Sequence, residues 1–440
     1  MDAGKRHKKT VSAWAMYDWA NSAYSLVITS ALFPIYFHAI TSDGQQSPVH
    51  FLGMDFNSDS LQTYALSLAF LIIAFINPLL SSIADYSGNK RSFMYFFCTL
   101  GSVSCASLYF FHSLETLWIG IAGSMLAAIG FSGSIVFYNA FLPEIARPED
   151  QDKVSAKGFA LGYIGSSLLL IFSLTMILFP EWYGNIEKGQ AIRLAFVLVG
   201  LWWFGFAQIT FYHLRREEQR KPSTGNYLFN GYKELKKVWD QLKHTQRLRS
   251  FLWAYFFYNM GVQTVMYVAT LFGDGELHLD SSILIAIILI IQFVAIGGAY
   301  LFAFLSSRLG NIKAITIAIL VWILICIGAW FCDKRFGVNE QNMFIGLAAG
   351  VGLVMGGIQS LSRSTYSKLL PKTTDHASYF SFFDVSEKVG IVIGTFIFGY
   401  INELTGSMRN SIIIITAFFI VGLILLLRIG NQRQIMPTDN

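Results

Sequence analysis

The sequence predicts an all-α membrane protein: twelve transmembrane helices in two parallel six-helix halves, with both termini cytoplasmic. Three observations lead there: a shortage of charge, a regular succession of long apolar segments, and an internal repeat. Of the 440 residues, 54% are hydrophobic and only 13% charged, and the mean hydropathy is +0.50. A soluble domain carries about a quarter charged residues, so most of this surface must face lipid rather than water. The 39 Phe, 20 Tyr and 10 Trp suit packed bilayer helices and interfacial belts. No soluble domain is evident, because the longest polar stretch, 214–250, is too short to bury a core of its own.

A helix needs ~20 mostly apolar residues to cross the hydrocarbon core. Segments of that kind run over 12–40, 61–84, 92–111, 114–139, 155–179 and 191–213. After a charged interval they resume at 250–272, 282–305, 312–331, 342–362, 379–401 and 410–428. The chain therefore divides into a first half, 1–213, a linker, 214–249, and a second half, 250–440. The basic start MDAGKRHKKT precedes an apolar run far longer than a signal-peptide core, which makes this a first span rather than a removable leader.

Basic residues set the orientation. With the N-terminus inside, about 26 of the 32 Lys and Arg fall in cytoplasmic segments, against a few such as Lys188, Lys334 and Arg335 outside. The net charge of +5 is thus a topology signal, not a nucleic-acid footprint, and the multi-pass chain is expected in the cell (inner) membrane.

The halves repeat. Ala84-Asp85-Tyr86-Ser87-Gly88-Asn89-Lys90-Arg91, after the second span, is echoed by Ser307-Arg308-Leu309-Gly310-Asn311-Ile312-Lys313 after the eighth. Leu142-Pro143 is echoed by Leu370-Pro371, and a glycine follows each proline by 19 residues, at Gly162 and Gly390. The offsets of 222 and 228 fit one duplication with small insertions. Parallel six-span halves place a solute site near mid-membrane. In the linker, Leu228, Tyr232, Leu235, Trp239 and Leu242 follow helical spacing, with Lys233, Lys236, Lys237 and Lys243 between them. That pattern predicts a basic amphipathic helix lying in the cytoplasmic interface or packed on the cytoplasmic face, or else a regulatory docking helix.

The run Trp14-Ala15-Met16-Tyr17-Asp18-Trp19-Ala20-Asn21-Ser22-Ala23 resembles the opening signature of the autophagy-related vacuole effluxer family, a group of major facilitators. The resemblance continues through 136–144, 158–163, 258–265 and 357–364, and so covers the whole chain. It implies the major facilitator fold and, by analogy with fungal members, export of amino acids. The general facilitator loop pattern is altered here. Ser81 stands at its first glycine, Asn89 at a usual basic position, and Ser307 where the second copy would place aspartate.

Ionisable residues inside a bilayer are costly and are functional candidates. Asp18, Ser22, Ser25 and Thr29 fall at steps of four, three and four on one face of the first span, flanked by Asn21, a stripe suited to a solute or a proton. The alternative is that Asp18 only bonds a neighbouring helix. In the eleventh span, Asp384 and Lys388 are four apart and can pair, which leaves Glu387 without a partner on its own helix. These positions correspond to Ala156, Phe159 and Ala160 in the first half, so the scaffold itself does not require charge there. The alternative for this group is a buried network with Arg363. Asn259 and Gln263, with Gln292 and Gln359, are amides able to bind a zwitterion or to join helices. Asp85, Lys90 and Arg91, with Glu144, Arg147 and Arg363, are expected to form gate pairs that break as the protein changes state.

Cys98, Cys105, Cys326 and Cys332 lack metal-ligand spacing and read as small core residues. Phosphate-loop, zinc-protease and hydrolase signatures are missing, so no enzymatic activity and no cofactor are expected. The expected function is secondary transport of a small solute by alternating access, with protons as a coupling ion, by a monomer in the lipid bilayer. The rival readings are a non-transporting sensor or receptor on the same scaffold and a drug or lipid efflux carrier.

Overall fold

In lipid every backbone N–H and C=O must be satisfied within its own segment, so long apolar runs become long helices. The computed structural model describes residues 3–42, 49–214, 227–333, 336, 337 and 339–430. Lys334, Arg335 and residues 215–226 of the linker, together with the Leu228 side chain, lie outside the described residues.

The chain opens with α1 (Ala3–Ala23), which runs without a break into a π-helical stretch, Tyr24–Leu32, and then α2 (Phe33–Thr41). The Ser30 hydroxyl donates to the Ser25 carbonyl five residues back, which follows the wider π turn. A hairpin of β1 (Val49–Phe51) and β2 (Met54–Phe56) comes next, absent from the sequence expectation. Its two central residues, Leu52 and Gly53, both have positive φ, the requirement of a two-residue turn whose twist matches the strands. Then follow α3 (Ser58–Ser87), α4 (Lys90–Ser107), α5 (Leu117–Ala140), the single turn α6 (Leu142–Ile145), α7 (Gln151–Leu178) and α8 (Lys188–His213). The linker supplies α9 (Tyr227–His244). The remainder is α10 (Gln246–Gly275), α11 (Ser281–Leu309), α12 (Asn311–Trp330), α13 (Glu340–Leu369), α14 (His376–Thr405) and α15 (Met408–Gly430).

Ten helices among the described residues are long and apolar enough to cross a membrane. The two other long helices that coincide with expected spans, α10 and α14, have 30 residues each. At 1.5 Å per residue that length reaches ~45 Å. Their apolar runs are interrupted by Asn259 and Gln263 in α10 and by Asp384, Glu387 and Lys388 in α14.

The repeated motifs have local structural reasons. Gly88, between α3 and α4, and Gly310, between α11 and α12, both have positive φ, which only glycine adopts without strain. The two proline motifs differ. Leu142-Pro143 begins the one-turn α6, whereas Leu370 is extended and ends α13 ahead of Pro371.

By packing, the chain forms two units. The first comprises Met1–Arg147, Lys157–Lys237 and Thr374–Lys388, and the second Pro148–Ala156, Val238–Thr373 and Val389–Asn440. In each, small residues let helices meet closely, the usual driving geometry where lipid offers no hydrophobic incentive. In the first unit, a Cβ on Gly130 of α5 would lie 2.4 Å from the Gly101 nitrogen of α4. In the second, a Cβ on Gly356 of α13 would lie 2.2 Å from the Ala295 carbonyl oxygen of α11.

Candidate functional site

The first unit gathers two polar groups. Asp18 is buried on α1 and accepts a hydrogen bond from the Tyr138 hydroxyl of α5 at 2.8 Å. Tyr138 stacks on Trp14, with ring centroids 4.3 Å apart, and its carbonyl accepts from the Trp14 indole at 2.9 Å. One helical turn later, Ser22 faces Gly162 of α7, where a Cβ would lie 2.5 Å from its hydroxyl oxygen. The single-face stripe does not continue as expected. The π-helical stretch changes the phase, so Ser25 is exposed and Thr29 half-buried. Asn21 is buried, and its Nδ2 has no protein partner among the described residues.

The second group lies on α14. Asp384 and Lys388 are both buried, with Nζ 3.6 Å from Oδ1. Lys388 also donates to Glu387 at 2.7 Å, which corrects the expectation that Glu387 lacks a partner on its own helix. The i to i+1 contact forms because the long ammonium arm folds between both carboxylates. Lys388 further sits over the Phe70 ring of α3, 5.5 Å from its centroid. From the same helix, Asn77 donates to the Asp384 Oδ2 at 2.9 Å, while its own Oδ1 has no protein partner among the described residues. Asn77 precedes Pro78, whose missing N–H interrupts the α3 ladder. Sequence reasoning missed Asn77; a lone amide beside a proline in an apolar span was the available signal.

Next to this group is a capping array. Asp85, near the end of α3, accepts from the Ala377 nitrogen at 3.2 Å and from the Ser378 nitrogen and hydroxyl at 2.7 and 2.8 Å. It thus satisfies the first turn of α14 from another helix, where backbone N–H groups would otherwise lack acceptors. Lys90 lies 3.9 Å from Asp85 and pairs with Glu144, and Glu144 also meets the His376 Nδ1 at 2.9 Å. Arg91 donates to the Phe211 carbonyl of α8, and Arg147 is exposed just beyond α6. Lys237 of α9 pairs with Glu234 and Asp375, and the hydrogen bond to Glu234, with Asp375 nearby, holds its ammonium above its ordinary pKa.

The second unit holds a related array with the charges transposed. Asp152, in the first turn of α7, accepts from Ser306 at 2.9 Å and from Asn311 at 2.8 Å, and lies 2.7 Å from the Lys368 ammonium. The loop that lacks aspartate at Ser307 therefore bonds a carboxylate supplied by the start of α7. Arg363, buried on α13, donates to the Ser155 hydroxyl and carbonyl, both at 2.9 Å. Of the amides, Asn259 is buried with an Nδ2 that has no partner among the described residues, Gln359 reaches the Met266 sulfur at 3.6 Å, and Gln263 and Gln292 are half-buried. In each unit, then, a buried asparagine, Asn21 on α1 and Asn259 on α10, leaves an amide donor without a protein partner among the described residues.

A nearly all-helical chain with this order of spans has the major facilitator fold, that of secondary transporters. It aligns with the proton:xylose symporter XylE at a TM-score of 0.73 and 10% identity, covering 97% of this chain and 96% of that one. It aligns with the fucose:proton symporter FucP of E. coli at 0.67 and 12% identity, covering 96% and 98%. The model of the family described as "Vacuole effluxer Atg22 like" matches residues 6–151 and 148–436, and the chain belongs to that family. The "Uncharacterized MFS-type transporter YxiO" of Bacillus subtilis (strain 168) is 32% identical over 434 residues, covering 98% of this chain and 97% of the relative. Autophagy-related protein 22-1 of Penicillium rubens is 24% identical over 483 residues, covering 91% and 80%. This is a multi-pass membrane protein and a secondary transporter rather than an enzyme.

Proposed function

We propose that the protein exports amino acids or a closely related zwitterionic metabolite across the cell (inner) membrane, coupled to protons, by rocking of its two halves. The observation that carries this reading is the α14 group, where two carboxylates share the single ammonium of Lys388 and one of them is held from α3 by Asn77. Two acids beside one base in an apolar helix are costly to bury, which makes the group a candidate to meet a solute ammonium or a coupling proton. The amide donors of Asn21 and Asn259, which have no partner among the described residues, support the same reading. A buried donor without an acceptor costs about 1–3 kcal/mol, which a solute carboxylate would offset.

In this proposal the Asp85 cap on α14 and the Asp152 array on α7 are latches that hold one state and release in the other. Ser378→Ala removes one of the three donors to Asp85 and should raise the exchange rate severalfold, since a latch bond contributes about 1 kcal/mol. A rate equal to wild type would assign the cap to folding alone.

Counterflow in proteoliposomes preloaded with mixed amino acids, with and without a pH gradient, tests the central reading. Saturable exchange that a pH gradient accelerates is the expected result, and no exchange by folded protein would discard amino acids as substrates. Asp18→Asn should abolish this flux while leaving the melting temperature within a few degrees. The amide oxygen still accepts from Tyr138, but the charge is gone. Undiminished flux would reduce Asp18 to a helix-joining residue.

A further inference from the structure

The helices α8 and α15 each carry an arginine near their start, and the two arginines meet different surroundings. Arg193 stands ten residues ahead of Trp203 on α8, and Arg409 ten ahead of Phe419 on α15. The two aromatics occupy matching places in the repeat. Trp203 lies against Tyr24, which follows α1, and fills the space beside Gly101 of α4. Phe419 lies against Gly261 of α10 and stacks on Trp322 of α12. The arginines reach matching turns of chain as well. Arg193 sits 5.5 Å over the ring of Tyr109, just past α4, and Arg409 donates to the Cys332 carbonyl, just past α12.

Their partners differ. Arg409 pairs with Glu276 and lies 3.6 Å from Asp333 and 3.8 Å from Glu340. Arg193 is half-buried, and among the described residues it has neither an ion pair nor a hydrogen-bond acceptor, with its Nε fully enclosed. Glu187, just ahead of α8, is exposed and forms no ion pair with it. A guanidinium cannot shed its charge, so one drawn partly out of water without an anion is costly. In the second unit the matching arginine is met by carboxylates, which marks the position as one suited to an oxyanion.

Arg193 opens a stripe of α8 that continues through Val197, Leu201 and Phe204 at steps of four, four and three. Val197 is half-buried and the other two are exposed, Leu201 by 64%, on a membrane-crossing helix, so this side of α8 faces acyl chains. Arg193 lies ~8 Å inside the start of α8, a depth from which its long arm reaches the headgroup level. The geometry points to Arg193 as a binding site for the phosphate of a phospholipid in the adjoining leaflet. The guanidinium fork takes two phosphate oxygens, the Tyr109 ring supports its plane, and the acyl chains run along Leu201 and Phe204. A charge-assisted contact of this kind gives roughly a ten-fold preference.

Native mass spectrometry of the full-length protein, delipidated in detergent and titrated with phosphatidylglycerol, the matching diacylglycerol or inorganic phosphate, tests this. The tightest phosphatidylglycerol should bind about ten-fold more weakly to Arg193→Gln and by a smaller factor more weakly to Arg193→Lys, which keeps the charge but not the fork. Lys188→Gln, which removes an exposed charge from the same helix end, should bind it as wild type does. Diacylglycerol should not distinguish the four proteins. Without lipid, Arg193→Gln should melt no lower than wild type, because the charge it removes has no partner. A clear fall would show Arg193 engaged within the protein and overturn the proposal, as would unchanged phosphatidylglycerol affinity. An equal loss in Lys188→Gln would reduce the effect to general surface charge and also overturn it. Inorganic phosphate that displaces the lipid and binds with the same dependence on Arg193 would reassign the site to a free anion.

Discussion

Lys388→Met is expected to abolish solute exchange and to lower the melting temperature sharply. The substitution keeps the side-chain volume but leaves Asp384 and Glu387 facing each other without the ammonium that both contact. Removing one member of a buried charge group costs about 3–5 kcal/mol, because the remaining charges stay desolvated. The triple variant Asp384→Asn/Glu387→Gln/Lys388→Met separates folding from function. It should recover most of the lost stability, since no buried charge is left over, and still show no flux. Thermal unfolding in detergent and counterflow on the same preparations read both effects. A single variant with wild-type flux would remove Lys388 from the transport site. A triple variant with wild-type flux would remove the entire group.

Gly356→Leu should prevent accumulation of folded protein in the membrane. The Cβ alone would fall 2.2 Å from the Ala295 carbonyl and 3.0 Å from the Ala299 nitrogen, so the obstacle is backbone rather than a movable side chain. Gly298 of α11 is equally tight, with a Cβ position 2.0 Å from the Leu353 carbonyl. Overpacking of a core costs about 1–3 kcal/mol where side chains can shift, and more where two helices must separate along their length. Gly346→Leu on the same helix has open space around it and serves as the control. Size-exclusion chromatography of membrane extracts distinguishes the two, and comparable monodisperse yields would contradict the close approach.

Much of this architecture was legible because lipid imposes a simple rule: apolar length becomes helix. The loop glycines 88 and 310 were legible for a different reason, since a repeated glycine at a helix break marks a backbone that other residues avoid. The buried charges of α14 also stood out, because Asp384, Glu387 and Lys388 interrupt an otherwise apolar run. The π-helical stretch did not. Tyr24–Leu32 has a composition equally suited to an α-helix, and the change of turn displaces Ser25 and Thr29 from the line predicted through Asp18. The partner of Glu387 was hidden because helix spacing rules describe side chains three and four apart, not a flexible lysine bending back on its neighbour. Asn77 and Asp152 escaped because their roles depend on residues some 307 and 154 positions away, Asp384 and Ser306. No periodicity within a helix reports such a pairing.

The transposed carboxylates bear on how this kind of protein should be compared with its relatives. In one unit the acid belongs to the end of α3 and the hydroxyl to α14. In the other the hydroxyl belongs to the end of α11 and the acid to α7. What both copies retain is a bond, and ownership of its two ends is free to change hands. A motif written letter by letter scores the second copy as decayed, whereas one written as an acid and a hydroxyl that join two helices scores both as intact. Lineages are then better compared by whether donor and acceptor vary together than by whether either letter persists.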